Sequence, residues 1–230
     1  SMEVGADLWH MNNYAGPSMA LKVPEYRTTF SMVALHFSKE LDGGMLVVGP
    51  DANRFADEKR KTSHGKVYES GRWGPLTTPC PMYMVFDNKM FTSGPLYDKD
   101  PKAGWNTLVD RYDWSDDNTA ELARGWIKKA DTIAELAKLI GVDASTLEST
   151  VSTWNKDSSA GKDTVYGRTL MLKPLAEGPF FALELSPSML NTQGGPRRNG
   201  KGQVMRPDGS PLPRLYSAGE LGSIYSFLYQ

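Results

Sequence analysis

Asp131-Thr132-Ile133-Ala134-Glu135-Leu136-Ala137-Lys138-Leu139-Ile140-Gly141 is the stretch that decides the fold class. Thr132 and Glu135 have the spacing of a capping box, in which a hydroxyl and a carboxylate satisfy the free backbone N–H groups of a helix start. Ile133, Leu136, Ala137 and Ile140 then fall on one face at helical spacing. Gly141 is a natural stop, because a helix end often needs a left-handed residue. Ser145-Thr146-Leu147-Glu148 repeats the box, with Leu147, Val151 and Trp154 as the stripe behind it. Two short capped helices with a brief link predict a helical hairpin. Trp126 to Ala130, just upstream, reads as a short strand.

Working outward, strands surround this pair. Met45-Leu46-Val47-Val48 follows the turn residues Asp42-Gly43-Gly44, and Pro81 to Asp87 reads as a buried strand. Ser31 to Phe37 is rich in β-formers. Asp51-Ala52-Asn53 makes a tip, and Arg54-Phe55 begins the return. Residues 1–22 read as a short helix carrying His10, with a turn at Asn12 to Pro17. Residues 92–120 read as irregular surface. The tail is a Gly194-Gly195 turn, a short strand near Val204, a turn on Asp208-Gly209, and a strand ending in Ala218-Gly219-Glu220. Strands, a helical pair and strands again predict an α+β fold of mixed strands plus a helical hairpin. No G-x-G-x-x-G follows a strand, so no complete Rossmann domain is expected.

The bulk properties exclude several classes. The chain has 230 residues, 26 basic and 27 acidic, with a net charge of −1. Nothing global attracts nucleic acid or an anionic membrane. No apolar run reaches the ~18 residues of a transmembrane helix. Cys80 is the one cysteine, so no intrachain disulfide forms. Flanked by Pro79 and Pro81, it reads as structural. No His/Cys/Asp/Glu group has metal-ligand spacing, so no metal is expected. The opening Ser1-Met2 looks like a tag-cleavage scar, which leaves the address of the parent open between cytoplasm and export.

The tail Asn191-Thr192-Gln193-Gly194-Gly195, then Leu215-Tyr216-Ser217-Ala218-Gly219-Glu220, resembles the flavoprotein family of fumarate reductases, succinate dehydrogenases and 3-ketosteroid dehydrogenases. There a T-x-G-G segment precedes a hairpin and an L-Y-x-A-G-E strand. Further matches follow in order. Gly5-Ala6-Asp7-Leu8 resembles the segment leaving the FAD domain. Gly44 to Val48 with Asn53-Arg54-Phe55-Ala56-Asp57-Glu58 resembles the cap-domain pattern ending in R-F-x-x-E. Ala130 to Leu147, Tyr166-Gly167-Arg168 and Pro179-Phe180-Phe181-Ala182 resemble later signatures. In the family a glycine-rich helix start comes next. Stopping short of it, the sequence is expected to be a piece of a flavoenzyme, cut on both sides.

The resemblance implies residues 1–22 leaving the FAD domain, a substrate-binding cap at 23–185, and a truncated return segment at 186–230. It implies a reduced or oxidised flavin exchanging hydride with a carbon–carbon bond beside a carbonyl or carboxyl group, with a cap residue supplying the proton. FAD belongs to the intact parent and little or none to the piece, which is expected to be inactive alone. The partners are an unsaturated acid or ketone and the remainder of the FAD domain. Cofactor contacts fall on Gly194, Gly195, Ala218, Gly219 and Glu220, whose carboxylate suits a ribityl or ribose hydroxyl. Substrate contacts fall on Asn191, Thr192, Tyr225 and Tyr229.

The sequence departs from the family's dicarboxylate pattern. Counting from Glu58 puts Thr62 where the proton-donating arginine is expected, with Arg60 and His64 close by but out of register. Arg60, Thr62 and His64 are therefore the catalytic candidates. His64 titrates near neutrality when unperturbed. Against that stand a surface histidine and a solvated Lys59-Arg60-Lys61 run. Leu190-Asn191 replaces the expected histidine, and Tyr229 or Gln230 the second arginine. These departures argue against fumarate and for a larger, less charged acceptor. Arg54 and Glu58 are expected to form a structural ion pair. A free-standing ligand-binding module without redox activity, and a ketosteroid-type cap, are the alternatives.

Overall fold

A computed structural model of the chain describes residues 2–11, 14–26, 29–30, 32–35, 41–63, 65–97, 112–189 and 191–222. The first strands are β1 (Leu8–Trp9), β2 (Tyr14–Ala15), β3 (Ala20–Lys22), β4 (Thr29–Phe30) and β5 (Met45–Val48). Then come β6 (Lys66–Glu69), β7 (Arg72–Pro75) and β8 (Met82–Phe86), and the short helices α1 (Asn88–Thr92) and α2 (Thr119–Ala123). β9 (Ile127–Ala130) leads into α3 (Ile133–Ile140) and α4 (Ala144–Ser159). The chain closes on β10 (Phe180–Ser186), β11 (Asn191–Thr192), β12 (Gly195–Pro196), β13 (Gln203–Met205) and β14 (Pro211–Tyr216). Contacts gather these into two units: a larger one of residues 19–61 and 77–187, and a smaller one of 1–18, 62–76 and 188–230.

The larger unit is a mixed α+β body built on one antiparallel sheet in the order β4-β3-β10-β8-β5. β9 runs along residues 180–183 of β10, and β3 continues the same edge at 185–186. Side chains alternate across a strand, and the two cores follow that alternation. Met45, Val47, Met82, Met84, Phe86, Phe181, Leu183 and Leu185 face an aromatic layer with Phe30, Tyr97, Trp114 and Trp126. Leu46, Val48, Val85 and Ala182 face Leu136, Ala137, Ile140, Leu147, Val151 and Trp154 of the α3–α4 hairpin. Thr132 caps α3 through both bonds of the capping box, and Gly141 ends it at φ 74°.

β5 is an edge strand, and an open edge needs cover. Its outward backbone groups are taken by charged side chains. Val47 N donates to Glu58 Oε1 at 3.1 Å, and the Met45 carbonyl accepts from Arg168 Nη1 at 3.0 Å.

The smaller unit is a set of two-stranded antiparallel ribbons, β1–β12, β2–β11, β6–β7 and β13–β14. Their backbones approach closely. A Cβ on Gly65 would lie 2.0 Å from the Gly16 carbonyl oxygen, and one on Gly16 would lie 2.1 Å from that of Ser188.

Several expectations are corrected. Residues 1–22 hold no α-helix among the described residues: a 3-10 turn at Met2–Val4 gives way to β1, and His10 takes φ 54°. Leu8 and Trp9 pair with Pro196 and Gly195, so distant ladder bonds override local helical preference. Ser31 to Phe37 is not one strand: its described part is a bridge at Met32 and a 3-10 turn at Val33–Leu35. α4 begins two residues earlier than the second box implied, because Asp143, not Ser145, is the N-cap and accepts from Thr146 N. The last strand stops at Tyr216, which puts Ala218-Gly219-Glu220 in the turn beyond it.

Candidate functional site

In the smaller unit, β11 and the turn after β14 bring Asn191 and Glu220 together across 29 residues, with Asn191 Nδ2 donating to Glu220 Oε2. The pairing leaves Asn191 Oδ1 and Glu220 Oε1 buried with no hydrogen-bond partner among the described residues. Buried acceptors left unsatisfied are costly unless donors arrive. Hydroxyl groups of a ligand are such donors.

The turn that presents Glu220 is held from several sides. Arg198 Nη1 donates to the carbonyls of Ser217 and Leu221 at 3.1 and 3.3 Å, and Nη2 to that of Gly219 at 3.1 Å. The Ser217 hydroxyl also donates to the Leu221 carbonyl. Trp9 Nε1 reaches the Gly222 carbonyl at 3.1 Å, and Gly222 N donates to that of Gly194 at 3.3 Å.

The predicted glycines divide in use. A Cβ on Gly194 would lie 2.7 Å from the His10 carbonyl oxygen, and one on Gly195 would lie 2.8 Å from Gly222 N. Both are spent on close packing of the chain against itself. Gly219, at φ 63°, faces open space, and Ala218 is exposed. Thr192 is exposed and paired in register with Tyr14, as Asn191 is with Ala15.

Among the catalytic candidates, His64 lies outside the described residues, as do Tyr225 and Tyr229. Arg60 is half-buried in the larger unit, its amide closing a turn on the Asp57 carbonyl at 3.1 Å. Thr62 is half-buried and opens the segment that belongs to the smaller unit. Ser63 and Lys66 exchange both backbone hydrogen bonds, at 2.8 and 3.0 Å.

The larger unit holds a buried charge cluster. Arg54 donates twice to Glu58, at 2.7 and 2.8 Å, and twice to Asp163, at 3.0 and 2.9 Å. Arg168 adds a bond to Glu58 at 3.2 Å. The Trp154 ring lies 4.7 Å from the Arg54 guanidinium and 4.6 Å from that of Arg168. The expected Arg54–Glu58 pair is present; Asp163 and Arg168 carried no sequence signal that tied them to it.

Lys66 also escaped sequence reasoning. It is 2% exposed, its Nζ donates to the Tyr14 carbonyl, and burial pushes its ammonium below the usual lysine range. No group of three or more His, Cys, Asp or Glu residues suited to a metal occurs among the described residues. No helix there is long and apolar enough to cross a membrane.

A urocanate reductase of Eggerthella lenta is 36% identical over 116 residues, 49% of this chain and 19% of its own length. A fumarate reductase (cytochrome) of Shewanella frigidimarina is 27% identical over 181 residues, 77% of this chain and 27% of its own. The chain thus spans about a fifth to a quarter of the length of these relatives. The 3-ketosteroid delta1-dehydrogenase of Sterolibacterium denitrificans, solved with 1,4-androstadiene-3,17-dione, superposes with a TM-score of 0.63 at 19% identity. It covers 96% of this chain and 40% of that one, and shares the fold. The family described as FAD binding domain matches residues 31–230, and the chain belongs to that family of flavoproteins.

Proposed function

We propose that the larger unit is the substrate-binding cap of an FAD-dependent oxidoreductase, and that the smaller unit contributes part of the cofactor site. The whole protein adds hydrogen to, or removes it from, a carbon–carbon double bond beside a carbonyl or carboxyl group. The observation that carries the cofactor reading is the Asn191–Glu220 pair with its two orphaned acceptors. They fit ribityl or ribose hydroxyls, each of which has a proton to donate. Gly219 leaves the approach open, and Arg198 fixes the turn.

Bound FAD supplies hydride transfer, chemistry that no side chain here offers. The chain's own part is to orient substrate and deliver a proton. Thr192 presents a hydroxyl beside Asn191. The segment from Arg60 through Thr62 to His64 is the proposed source of the proton. The substrate class is an unsaturated acid or ketone, in keeping with relatives named for urocanate and fumarate reduction.

The test is expression of the full reading frame. The purified protein is expected to hold flavin, and its reduced flavin to be reoxidised by members of an enoate and enone panel. Glu220→Ala is expected to weaken FAD binding about tenfold or more. His64→Ala is expected to lower turnover far more than flavin content. A full-length protein that holds no flavin, or whose reduced flavin no member of the panel oxidises, would end this reading.

A further inference from the structure

We propose that Lys66 is an anchor for a carboxylate of the ligand, placed beside Asn191 and Thr192 by the β2–β11 ribbon. This rests on the reading above that an unsaturated acid is among the substrates. Lys66 opens β6 and is 2% exposed. Its ammonium has three donors. One goes to the Tyr14 carbonyl, and the ring of Tyr14 lies 5.6 Å from Nζ. Tyr14 is the register partner of Thr192, and its neighbour Ala15 that of Asn191. The lysine therefore reaches the strand next to the predicted substrate segment.

No carboxylate among the described residues pairs with Lys66. The two buried arginines are held differently: Arg54 and Arg168 each meet a carboxylate within 3.2 Å. A buried ammonium with one neutral acceptor is unstable as it stands, since buried charges are ordinarily paired. Burial already depresses its protonation. An arriving carboxylate supplies the missing charge and takes up the two remaining N–H groups, the strongest class of hydrogen bond available there. A clamp that served only to tie β6 to β2 would need no charge, and an apolar side chain would fill the space at lower cost.

The test uses the full-length protein, with crotonate and its uncharged isostere crotonamide titrated calorimetrically and flavin content read separately. Lys66→Met is expected to weaken crotonate binding about tenfold or more while leaving crotonamide within about twofold. Lys66→Arg is expected to retain most of the crotonate affinity. Removing an uncompensated buried charge is expected to leave the melting temperature of Lys66→Met unchanged or raised, as when a site is stabilised at the expense of function. Unchanged crotonate affinity in Lys66→Met, or an equal fall for both ligands, overturns the proposal. So does a Lys66→Met protein that melts well below the parent, because that assigns Lys66 to the fold. A parent protein that lacks flavin yet binds crotonate through Lys66 would sink the oxidoreductase reading and leave the anchor standing.

Discussion

Arg54 and Arg168 both lie over the Trp154 ring and share Glu58, so each guanidinium is neutralised and stacked at once. Asp163 completes the cluster, accepting from Arg54 and from the amides of Val165, Tyr166 and Arg168. Burial alone would raise the Asp163 carboxyl, but Arg54 and those amides hold it well below the usual carboxylate range. A carboxyl depressed in the folded state adds stability above its unfolded pKa of about 3.9 and loses it as pH falls through the folded value. Burial raises Asp57, which works in the opposite sense and costs stability as pH rises through the carboxylate range. Asp163→Asn is expected to cost about 3 kcal/mol near neutral pH, measured by urea unfolding, because Arg54 loses one of two buried carboxylates. The same variant is expected to lose less stability than the parent between about pH 4 and pH 2. Of this cluster only Arg54–Glu58, four residues apart, was legible beforehand; Asp163 and Arg168 arrive from more than 100 residues away.

At the level of elements, the helical hairpin was readable because its signals are local. Thr132, Glu135 and Gly141 perform at α3 the roles their spacing assigned. At α4 the same rule selected the wrong residue. Ser145 and Glu148 have the box spacing, but Asp143 is the cap, and its carboxylate accepts from Thr146 N at 2.8 Å and from the Thr146 and Ser145 hydroxyls. Substitution separates the two. Thr132→Ala and Asp143→Ala are each expected to cost about 1 kcal/mol in thermal unfolding. Ser145→Ala, at an exposed position inside the first turn, is expected to stay within about 0.5 kcal/mol. Gly141→Ala forces a Cβ into a left-handed backbone and is expected to cost about 1 kcal/mol, strain rather than a clash, since the space around it is open.

Across the whole molecule the two units differ in how they are held. The larger has β8 and β10 bonded on both edges, with apolar layers on both faces. The smaller depends on ribbons, some only two residues long, and two-stranded ribbons are marginal alone. Native-state hydrogen exchange is expected to find its slowest amides in β8 and β10 and markedly faster ones in β1, β2, β11 and β12. Equal protection of the two sets would contradict this division of stability.

By itself the sequence determined the α+β class, the hairpin of α3 and α4, the strands β5 and β8, and the likeness to the FAD binding domain family. Capping, periodicity and motif order act over a few residues or along the chain, so they survive without coordinates. Only the tertiary structure decided that the N-terminal stretch is ribbon rather than α-helix, that Asn191 meets Glu220, and that Lys66 is buried beside Tyr14. Each of these is a contact between segments distant in sequence, and burial of a charge or an acceptor is a property of what surrounds it. No local pattern encodes those surroundings, because they come from the packing of segments that the chain brings together only when it folds.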